Sequence, residues 1–547
     1  MKINFIINKV LKEYKYFIIL LGLFIVYNLF FINKAFHIDD IYTINAARAI
    51  NINVVRVNPM SFYDNPILLQ YYYAPIIKLF GEKEIWLHLF YLPFSLLAII
   101  AMFFLGIRFA DKSLFPVLFL ISTPAFLIMS HNIMLDIPML GFFLAAIVLF
   151  IYGTDTDNKW LLILSGISAG AAILIKYSGL MLIPILFVYA LISSKKRYCL
   201  FLAVPILIFL SWNVHNILCY GHAIFPSVLL WKFKIFLTEG IPIRTFACLS
   251  FISGTSVITL LLIPHFLRNK NNAALFLLSF SIGFCPFLIK SLFIKYSVTE
   301  KFILSLLFVS SAYIILIIFK IAFLSLFNKK DKDNLFLSVW FIVLLAFTII
   351  SNFIAARFIL LLLPPMFLLI YNQISPGFAK IAVKTRKVLC FSLIITFFIA
   401  TILAFGDYCF AEIYRNLNPQ FKKMVHFKKT QIYFSGDWGF DYYMQKAGNK
   451  DTLYGMTDIA LPEEFIFIAP TLASCYREYY FEQLSKLKYD KILADQIDYY
   501  GNIILLNSKA HAGFYSHAWG LLPFYLSPKK MIVESLEVYK MSKSNVL

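Results

Sequence analysis

The stretch Phe36-His37-Ile38-Asp39-Asp40-Ile41-Tyr42 follows directly on the first hydrophobic segment of the chain. Two adjacent carboxylates stand just past the end of an apolar run, in a segment too polar to cross a bilayer and too apolar to lie free in water. Apolar residues then recur at helical spacing from Ile41, and again after Pro66, which predicts two amphipathic helices in the membrane interface. This stretch therefore predicts a boundary between membrane and water that carries two acidic groups.

The two carboxylates also have a purely structural interpretation. Aspartate is a preferred N-cap, and acidic residues stabilise the first turn of a helix. One aspartate satisfies that role, so a second one beside a membrane indicates a chemical task. Both Asp39 and Asp40 are therefore candidate catalytic residues.

The composition determines the broad class of the protein. The 547 residues are 61% hydrophobic, 18% aromatic and only 14% charged, which excludes an ordinary soluble domain and predicts a polytopic membrane protein. A net charge of +20 would suggest a nucleic-acid partner in a soluble protein. Here the Lys and Arg residues stand in short clusters between apolar segments, so they indicate membrane topology and no nucleic acid is expected.

Hydropathy predicts about thirteen membrane-spanning helices, the first over Tyr14–Asn33 and the last over Val388–Gly406. Basic clusters occupy alternate loops, for example at 195–197 and 329–332. The positive-inside rule then places the N-terminus in the cytoplasm and, after an odd number of crossings, everything past Gly406 outside the plasma (inner) membrane. The loop 34–84, with its two interfacial helices, is predicted to be external as well.

A change in composition separates residues 1–406, the predicted transmembrane domain, from residues 407–547. Beyond residue 407 charged residues become frequent and turn signals return. Short strand patterns and helical stretches alternate there, which predicts a small extracytoplasmic α/β domain. An aromatic run at 512–525 near its end indicates either core or a patch that rests on the membrane.

Further acids and bases are predicted at the same external level as Asp39. The loop 130–136 carries His131 and Asp136, Lys176 ends the fifth span, and Arg357 begins a late one. A cation at a helix end is commonly a snorkelling side chain. Since cations favour the cytoplasmic side, external Lys176 and Arg357 require a reason, and a lipid-borne phosphate supplies one.

Metal binding is a weaker interpretation of the same groups. Asp39, Asp40, His131, Asp136 and His222 could gather a divalent cation, but no pair of them has a ligand spacing set by one helix. No metal site and no cofactor are therefore predicted, and binding of a divalent metal is kept as an alternative.

These motifs, in this order, resemble the GT-C membrane glycosyltransferases of the protein O-mannosyltransferase and aminoarabinose-transferase-like group. The acidic pair and Tyr that follow the first span in that group are matched by Asp39-Asp40-Ile41-Tyr42, and a Pro-containing segment by Asn65-Pro66-Ile67-Leu68. An Asp-x-Pro is matched by Asp136-Ile137-Pro138, the end of a Gly-rich helix by Lys176-Tyr177, and a late Arg-aromatic run by Arg357-Phe358. The resemblance extends over residues 12–374.

The resemblance implies transfer of a single sugar from a polyprenyl-phosphate or dolichyl-phosphate sugar to an extracytoplasmic acceptor, which is a protein, lipid or glycan, with inversion at the anomeric carbon. The residue chemistry agrees, because a carboxylate can accept a hydroxyl proton and cations stabilise a departing phosphate. Asp39 is the expected base and Asp136 its supporting carboxylate. Lys176 and Arg357 are the expected phosphate ligands, and the candidate supporting residues are Tyr42, His131 and Tyr177.

A lipid or saccharide transporter or flippase is the alternative function. Such a protein would also expose charged groups to a membrane cavity, but they should lie in the middle of spans. Here the candidates cluster at helix ends and in the loop 34–84. This placement favours catalysis at one membrane face.

Overall fold

A computed structural model describes residues 2–52, 65–238, 240–266, 272–328, 331–351, 353–374, 383–417, 432–451, 461–474 and 477–543. The side chains of residues 2–12 and of a few further positions inside helices lie outside this description. Within the described ranges, helices dominate as far as residue 415 and strands appear only after it.

Within the described residues, twenty α-helices lie between Lys2 and Arg415 and two more lie in the C-terminal part. Short 3₁₀ turns at Tyr177–Met181, Lys196–Leu202 and Ala356–Leu361 join some of them. The helices are α1 Lys2–Leu29, α2 Asp40–Ile52, α3 Leu68–Phe80, α4 Glu84–Phe109, α5 Leu114–Ile121, α6 Pro124–Met129, α7 Asp136–Thr156, α8 Lys159–Ile175, α9 Leu182–Ile192, α10 Ala203–Tyr220, α11 Ile224–Thr238, α12 Ile241–Thr255, α13 Ile258–Phe266, α14 Ala273–Gly283, α15 Cys285–Leu288, α16 Lys290–Phe293, α17 Val298–Phe327, α18 Lys332–Ile350, α19 Leu363–Ile374, α20 Val383–Arg415, α21 Trp438–Lys446 and α22 Arg477–Lys486.

Six helical stretches within the described residues are long and apolar enough to cross a membrane, and three shorter apolar ones accompany them. The protein is therefore a multi-pass membrane protein, although a count of about thirteen spans is not confirmed. The six are Glu84–Phe109, Asp136–Thr156, Lys196–Tyr220, Val298–Phe327, Lys332–Ile350 and Lys387–Arg415.

One predicted span shows why the counts differ. Hydropathy alone predicts one continuous span over residues 114–130, but the structure divides this stretch into α5 and α6. Thr123 caps α6 by accepting a hydrogen bond from the Phe126 backbone N–H at 3.3 Å, and Pro124, which has no N–H, begins the helix. The N-cap at Thr123 and the proline that follows it interrupt the helical backbone hydrogen bonds. They do not change the hydropathy on which the predicted span was based.

The two amphipathic helices predicted after the acidic pair correspond to α2 and α3, which pack on each other. Their pairing includes a hydrogen bond from Asn51 Nδ2 to the Ala74 carbonyl at 2.8 Å. Arg48 extends the contact to the turn after α3, where its guanidinium binds Glu82 with two hydrogen bonds of 2.5 and 2.7 Å. The acidic pair at the start of α2 is thus held on a two-helix platform.

The C-terminal part contains a mixed five-stranded sheet in the order β2-β1-β3-β7-β4 and a small pair, β5-β6. Strand β1 runs parallel to β2 and β3, whereas β7 is antiparallel to both β3 and β4. This arrangement confirms a small sheet-containing C-terminal unit. The strands are β1 Ile432–Phe434, β2 Lys450–Asp451, β3 Glu464–Pro470, β4 Tyr489–Ile504, β5 Leu506–Asn507, β6 Ala512–Gly513 and β7 Tyr525–Lys543.

This C-terminal unit packs against the segment that carries the acidic pair. The Phe36 backbone N–H donates to the Tyr443 hydroxyl at 3.0 Å, and that hydroxyl donates to Glu84 Oε1 at 2.8 Å. At Gly439 the backbone approaches so closely that a Cβ atom would lie 2.3 Å from the Phe36 carbonyl oxygen. The domain boundary predicted at residue 406 lies within α20, which connects the two parts.

Candidate active site

A cavity of about 530 Å³ opens where α7, α8 and the 3₁₀ turn 356–361 meet the start of α2. Its lining is mostly apolar, with four charged groups: Asp39, Asp136, Lys176 and Arg357. Asp39 precedes α2, Asp136 is the first residue of α7, Lys176 follows α8, and Arg357 lies in the 3₁₀ turn. All four therefore come from helix ends, and a mostly apolar cavity with a few converging polar groups is typical of a ligand site.

The four charged groups form alternating ion pairs. Arg357 Nη1 lies 2.7 Å from Asp39 Oδ2, and Lys176 Nζ lies 2.7 Å from Asp136 Oδ1. The Arg357 Nε atom is 3.7 Å from Asp136 Oδ2, which joins the two pairs. Two carboxylates and two cations thus hold one another in position around the cavity.

Burial strengthens the Coulomb attraction within these pairs and also costs desolvation of each charged group. Arg357 and Asp136 are 10% and 4% exposed, and Lys176 and Asp39 are 16% and 17% exposed. Burial is the largest influence on Lys176 and lowers the pKa of its ammonium group, against the opposing effect of Asp136. A cation that is partly stripped of water and held by a carboxylate is well placed to bind an anionic oxygen.

Phe358 is a site residue whose role the sequence did not indicate. The Lys176 ammonium lies 4.2 Å from the centre of its ring, and the Arg357 guanidinium carbon lies 5.7 Å from it. Both distances are within the range of a cation–π contact. Phe358 therefore brings both cations close to one aromatic ring at the cavity.

The two adjacent aspartates point in different directions. Asp39 lines the cavity, whereas Asp40 is completely buried and its Oδ2 atom accepts a hydrogen bond from the His37 backbone N–H at 2.9 Å. Burial raises the pKa of the Asp40 carboxyl to about 7. Ile38 has a φ of 43°, a left-handed conformation that is rare for a β-branched residue, and it turns the chain just before the pair. Asp40 is placed to stabilise this turn, and its catalytic role stays a prediction.

Of the three predicted supporting residues, Tyr177 lines the cavity. Its hydroxyl accepts a hydrogen bond from Trp212 Nε1 at 3.3 Å. His131 lies in the core instead, where its ring stacks on Phe31 with centroids 4.2 Å apart. Tyr42 is half-buried on α2 and, like His131, is not among the residues that line the cavity.

Metal-ligating side chains do not cluster in the described part of the chain, where no group of three or more His, Cys, Asp or Glu could hold an ion. At the cavity itself each carboxylate faces a cation of the protein, Asp39 facing Arg357 and Asp136 facing Lys176. Each carboxylate of the cavity is thus already neutralised by a cation of the protein.

Residues 64–215 match the family model described as dolichyl-phosphate-mannose-protein mannosyltransferase. The chain resembles this family over that segment. The match confirms the resemblance to the GT-C mannosyltransferase group that the motifs indicated, and it includes Asp136, Lys176 and Tyr177. Asp39 and Arg357 lie outside the matched residues, so their place in the site rests on the geometry given above.

This chain is similar to several solved structures, among them two of ArnT and one of AglB. The crystal structure of ArnT from Cupriavidus metallidurans in the apo state matches with 12% identity and a TM-score of 0.45, over 88% of this chain and 96% of that one. ArnT bound to undecaprenyl phosphate matches with the same identity and TM-score, over 87% and 96%. The archaeal oligosaccharyltransferase AglB from Archaeoglobus fulgidus, in complex with an inhibitory peptide and a dolichol-phosphate, matches with 14% identity and a TM-score of 0.41, over 76% and 60%. Among curated protein sequences no match is found.

A second charged cluster, which the sequence did not indicate, is centred on Lys34 and Asp407. In it Lys34 Nζ contacts Asp407 Oδ2 and Asn132 Oδ1, each at 2.5 Å. The Tyr515 hydroxyl donates to Asp407 Oδ1 at 2.8 Å, and His37 Nε2 lies 3.3 Å from the same atom. We call these five residues the Lys34–Asp407 cluster; all of them are buried. Lys34 follows the first predicted span and Asp407 follows the last, but nothing in the sequence pairs them.

Proposed function

We propose that this protein is an integral-membrane glycosyltransferase that moves a single sugar from a polyprenyl-phosphate or dolichyl-phosphate sugar to an extracytoplasmic acceptor, with inversion. The observation that carries this proposal is the chain of ion pairs from Asp39 through Arg357 and Asp136 to Lys176, which lines one mostly apolar cavity. The family match over residues 64–215 supports the class of reaction. The position of all four groups at helix ends, and not at mid-span, favours this function over transport.

In the proposed reaction the acceptor hydroxyl attacks the anomeric carbon while Asp39 accepts its proton. The bond between that carbon and the phosphate oxygen breaks, and its electron pair leaves with the phosphate. Lys176 and Arg357 stabilise the negative charge that develops on this oxygen. Attack from the side opposite to the leaving phosphate inverts the configuration.

The Asp39–Arg357 pair suggests how the base becomes available. Arg357 Nη1 lies 2.7 Å from Asp39 Oδ2, so the guanidinium holds one oxygen of this carboxylate. A donor phosphate is a competing anion for the same guanidinium. Its binding would release Asp39 toward the acceptor hydroxyl, so donor and base become competent together.

A panel of donor lipids tests the proposed function. Purified protein in lipid nanodiscs is incubated with undecaprenyl-phosphate and dolichyl-phosphate sugars that carry mannose, other hexoses or pentoses, each labelled in the sugar. We expect release or transfer of label from one donor class only. A protein that binds none of the lipid phosphates and hydrolyses none of the donors contradicts the proposal, and vectorial movement of an intact lipid without bond cleavage supports the transporter alternative.

The phosphate ligands lead to a first prediction. Lys176→Met and Arg357→Met each remove one charge-assisted contact, which is worth about 1.5–3 kcal/mol, so we expect binding of undecaprenyl phosphate to weaken by roughly 10-fold to 150-fold. Titration by intrinsic fluorescence in nanodiscs measures this affinity, with thermal unfolding as a check on folding. The exposed Lys196 provides the control Lys196→Met. If both variants bind the lipid with the affinity of the control, the two cations are snorkelling side chains and do not bind the phosphate.

The proposed orientation leads to a second prediction. With the N-terminus in the cytoplasm, the cavity and the C-terminal unit are extracytoplasmic. A cysteine at the exposed position Lys450 should react with an impermeant maleimide on intact cells, above the background of the native cysteines. A cysteine at Lys196, in a predicted cytoplasmic loop, should react only after the cells are opened. The reverse labelling pattern would invert the topology.

A further inference from the structure

A loop of the C-terminal unit lies directly beside Arg357. This loop covers residues 511–522, and we call it the docking loop. At one end His511 Nδ1 lies 2.9 Å from Glu300 Oε1, and at the other the Leu521 N–H donates to the Tyr296 hydroxyl at 3.0 Å. Both partners belong to the membrane part, Glu300 lying in α17 and Tyr296 just before it. The docking loop is therefore anchored to the membrane part at both ends.

The middle of the docking loop binds the backbone that leads into Arg357. The Ile354 N–H donates to His517 Nδ1 at 3.1 Å, and the Ile354 carbonyl accepts from the His517 backbone N–H at 2.8 Å. The Ala356 N–H donates to the Phe514 carbonyl at 2.8 Å. Three hydrogen bonds from the C-terminal unit thus hold residues 354–356. These residues immediately precede Arg357, whose guanidinium lines the cavity.

Residues 354–356 depend on these bonds because regular structure does not provide them. Helix α18 ends at Ile350, and Ala355 is extended, with φ −120° and ψ 151°. All three residues from Ile354 to Ala356 are completely buried. Buried backbone groups require partners, and at Ile354 and Ala356 the docking loop supplies them. The position of Arg357 is consequently set by a part of the chain more than a hundred residues away.

We propose that the docking loop is a positioning element of the donor-phosphate site, in which His517 and Phe514 fix the backbone before Arg357 and thereby aim its guanidinium at the lipid phosphate. The inference rests on the proposed function, since it assigns Arg357 to a phosphate. His517 itself acts only through Arg357. The sheet unit is then a structural component of the active site and not only a cover over it.

The test is a double-mutant cycle, with binding of undecaprenyl phosphate to the full-length protein in nanodiscs as the readout. His517→Ala removes the acceptor for the Ile354 N–H, and we expect roughly tenfold weaker binding. His517→Asn keeps an acceptor oxygen at the position of Nδ1 and should restore affinity to within about twofold of wild type. Ser516→Ala is the matched control, because among the residues that the structure describes the Ser516 hydroxyl accepts a hydrogen bond only from the Ala518 N–H of the same loop.

The decisive arm combines His517→Ala with Arg357→Met. If His517 acts through Arg357, its loss should change affinity little once the guanidinium is gone. An equal loss in both backgrounds, or wild-type affinity of His517→Ala, overturns the positioning role. Failure of the wild-type protein to bind the lipid overturns the proposed function instead. If His517→Ala does not fold, His517→Gln, whose amide lies one bond further out, takes its place in the same cycle.

Discussion

Asp39→Asn is expected to slow sugar transfer by at least about 10²-fold, which is the lower end of the rate enhancement that a general base usually provides. An amide oxygen cannot take the acceptor proton at neutral pH. Asp39 is the carboxylate of the adjacent pair that lines the cavity, and its Oδ2 atom lies 2.7 Å from Arg357 Nη1. The defect should therefore be in turnover and not in assembly of the site.

The same substitution should leave folding and lipid binding nearly intact. Asparagine is as good an N-cap as aspartate, and its amide oxygen can still accept a hydrogen bond from Arg357. Thermal unfolding and undecaprenyl phosphate binding measure these two properties, and single-turnover transfer from the donor found in the panel measures the rate. A stable variant with near-normal transfer would remove the base assignment from Asp39.

Asp40→Asn is the matched control, because it makes the same chemical change one residue away. The Asp40 carboxyl faces the core, and burial raises its pKa to about 7, so a substantial fraction of it is already uncharged at neutral pH. An amide keeps the oxygen that accepts from the His37 N–H. We expect transfer within about threefold of wild type, below the scale of general-base catalysis. A severe defect in Asp40→Asn alone would mean that Asp40, and not Asp39, is the catalytic base.

Lys34→Met is expected to lower the free energy of unfolding by about 3–5 kcal/mol, because it leaves a buried carboxylate without its counter-ion. The Lys34 and Asp407 side chains are only 1% and 2% exposed. Asn132 and Tyr515 still donate hydrogen bonds to Asp407, but they carry no charge. His37 Nε2 lies 3.3 Å from Asp407, and burial lowers the pKa of the His37 imidazole, which disfavours a compensating positive charge there. Unfolding in mixed detergent micelles with increasing dodecyl sulfate measures the change.

A second variant separates the lost charge from lost packing. Lys34→Met combined with Asp407→Leu removes both charges, and since an apolar pair of similar volume can replace a buried ion pair at little cost, most of the stability should return. The exposed pair Lys540–Glu464, with its atoms 3.1 Å apart, provides the control Lys540→Met, which should cost at most about 1 kcal/mol. Equal effects of Lys34→Met and Lys540→Met would show that the buried pair contributes no more than a surface pair.

The sequence by itself determined those properties that each segment expresses alone. A bilayer acts on every apolar run separately, so composition was enough to predict a multi-pass membrane protein. The helical spacing after Asp40 predicted α2 and α3, and the change in composition near residue 407 predicted the sheet-containing unit. Motif residues at helix ends, such as Asp136 and Lys176, could also be selected as candidates, because residue type and predicted external level were sufficient.

Only the tertiary structure decided how these parts face one another. After the left-handed turn at Ile38, Asp39 lines the cavity and Asp40 is buried in the core. The sequence shows two identical side chains and cannot indicate which of them faces the cavity. Lys34 and Asp407 are separated by 373 positions, and Arg357 is held by a loop that begins at residue 511. Such contacts depend on closing very long loops around a packed core, and local hydropathy and spacing carry no information about which distant segments will meet.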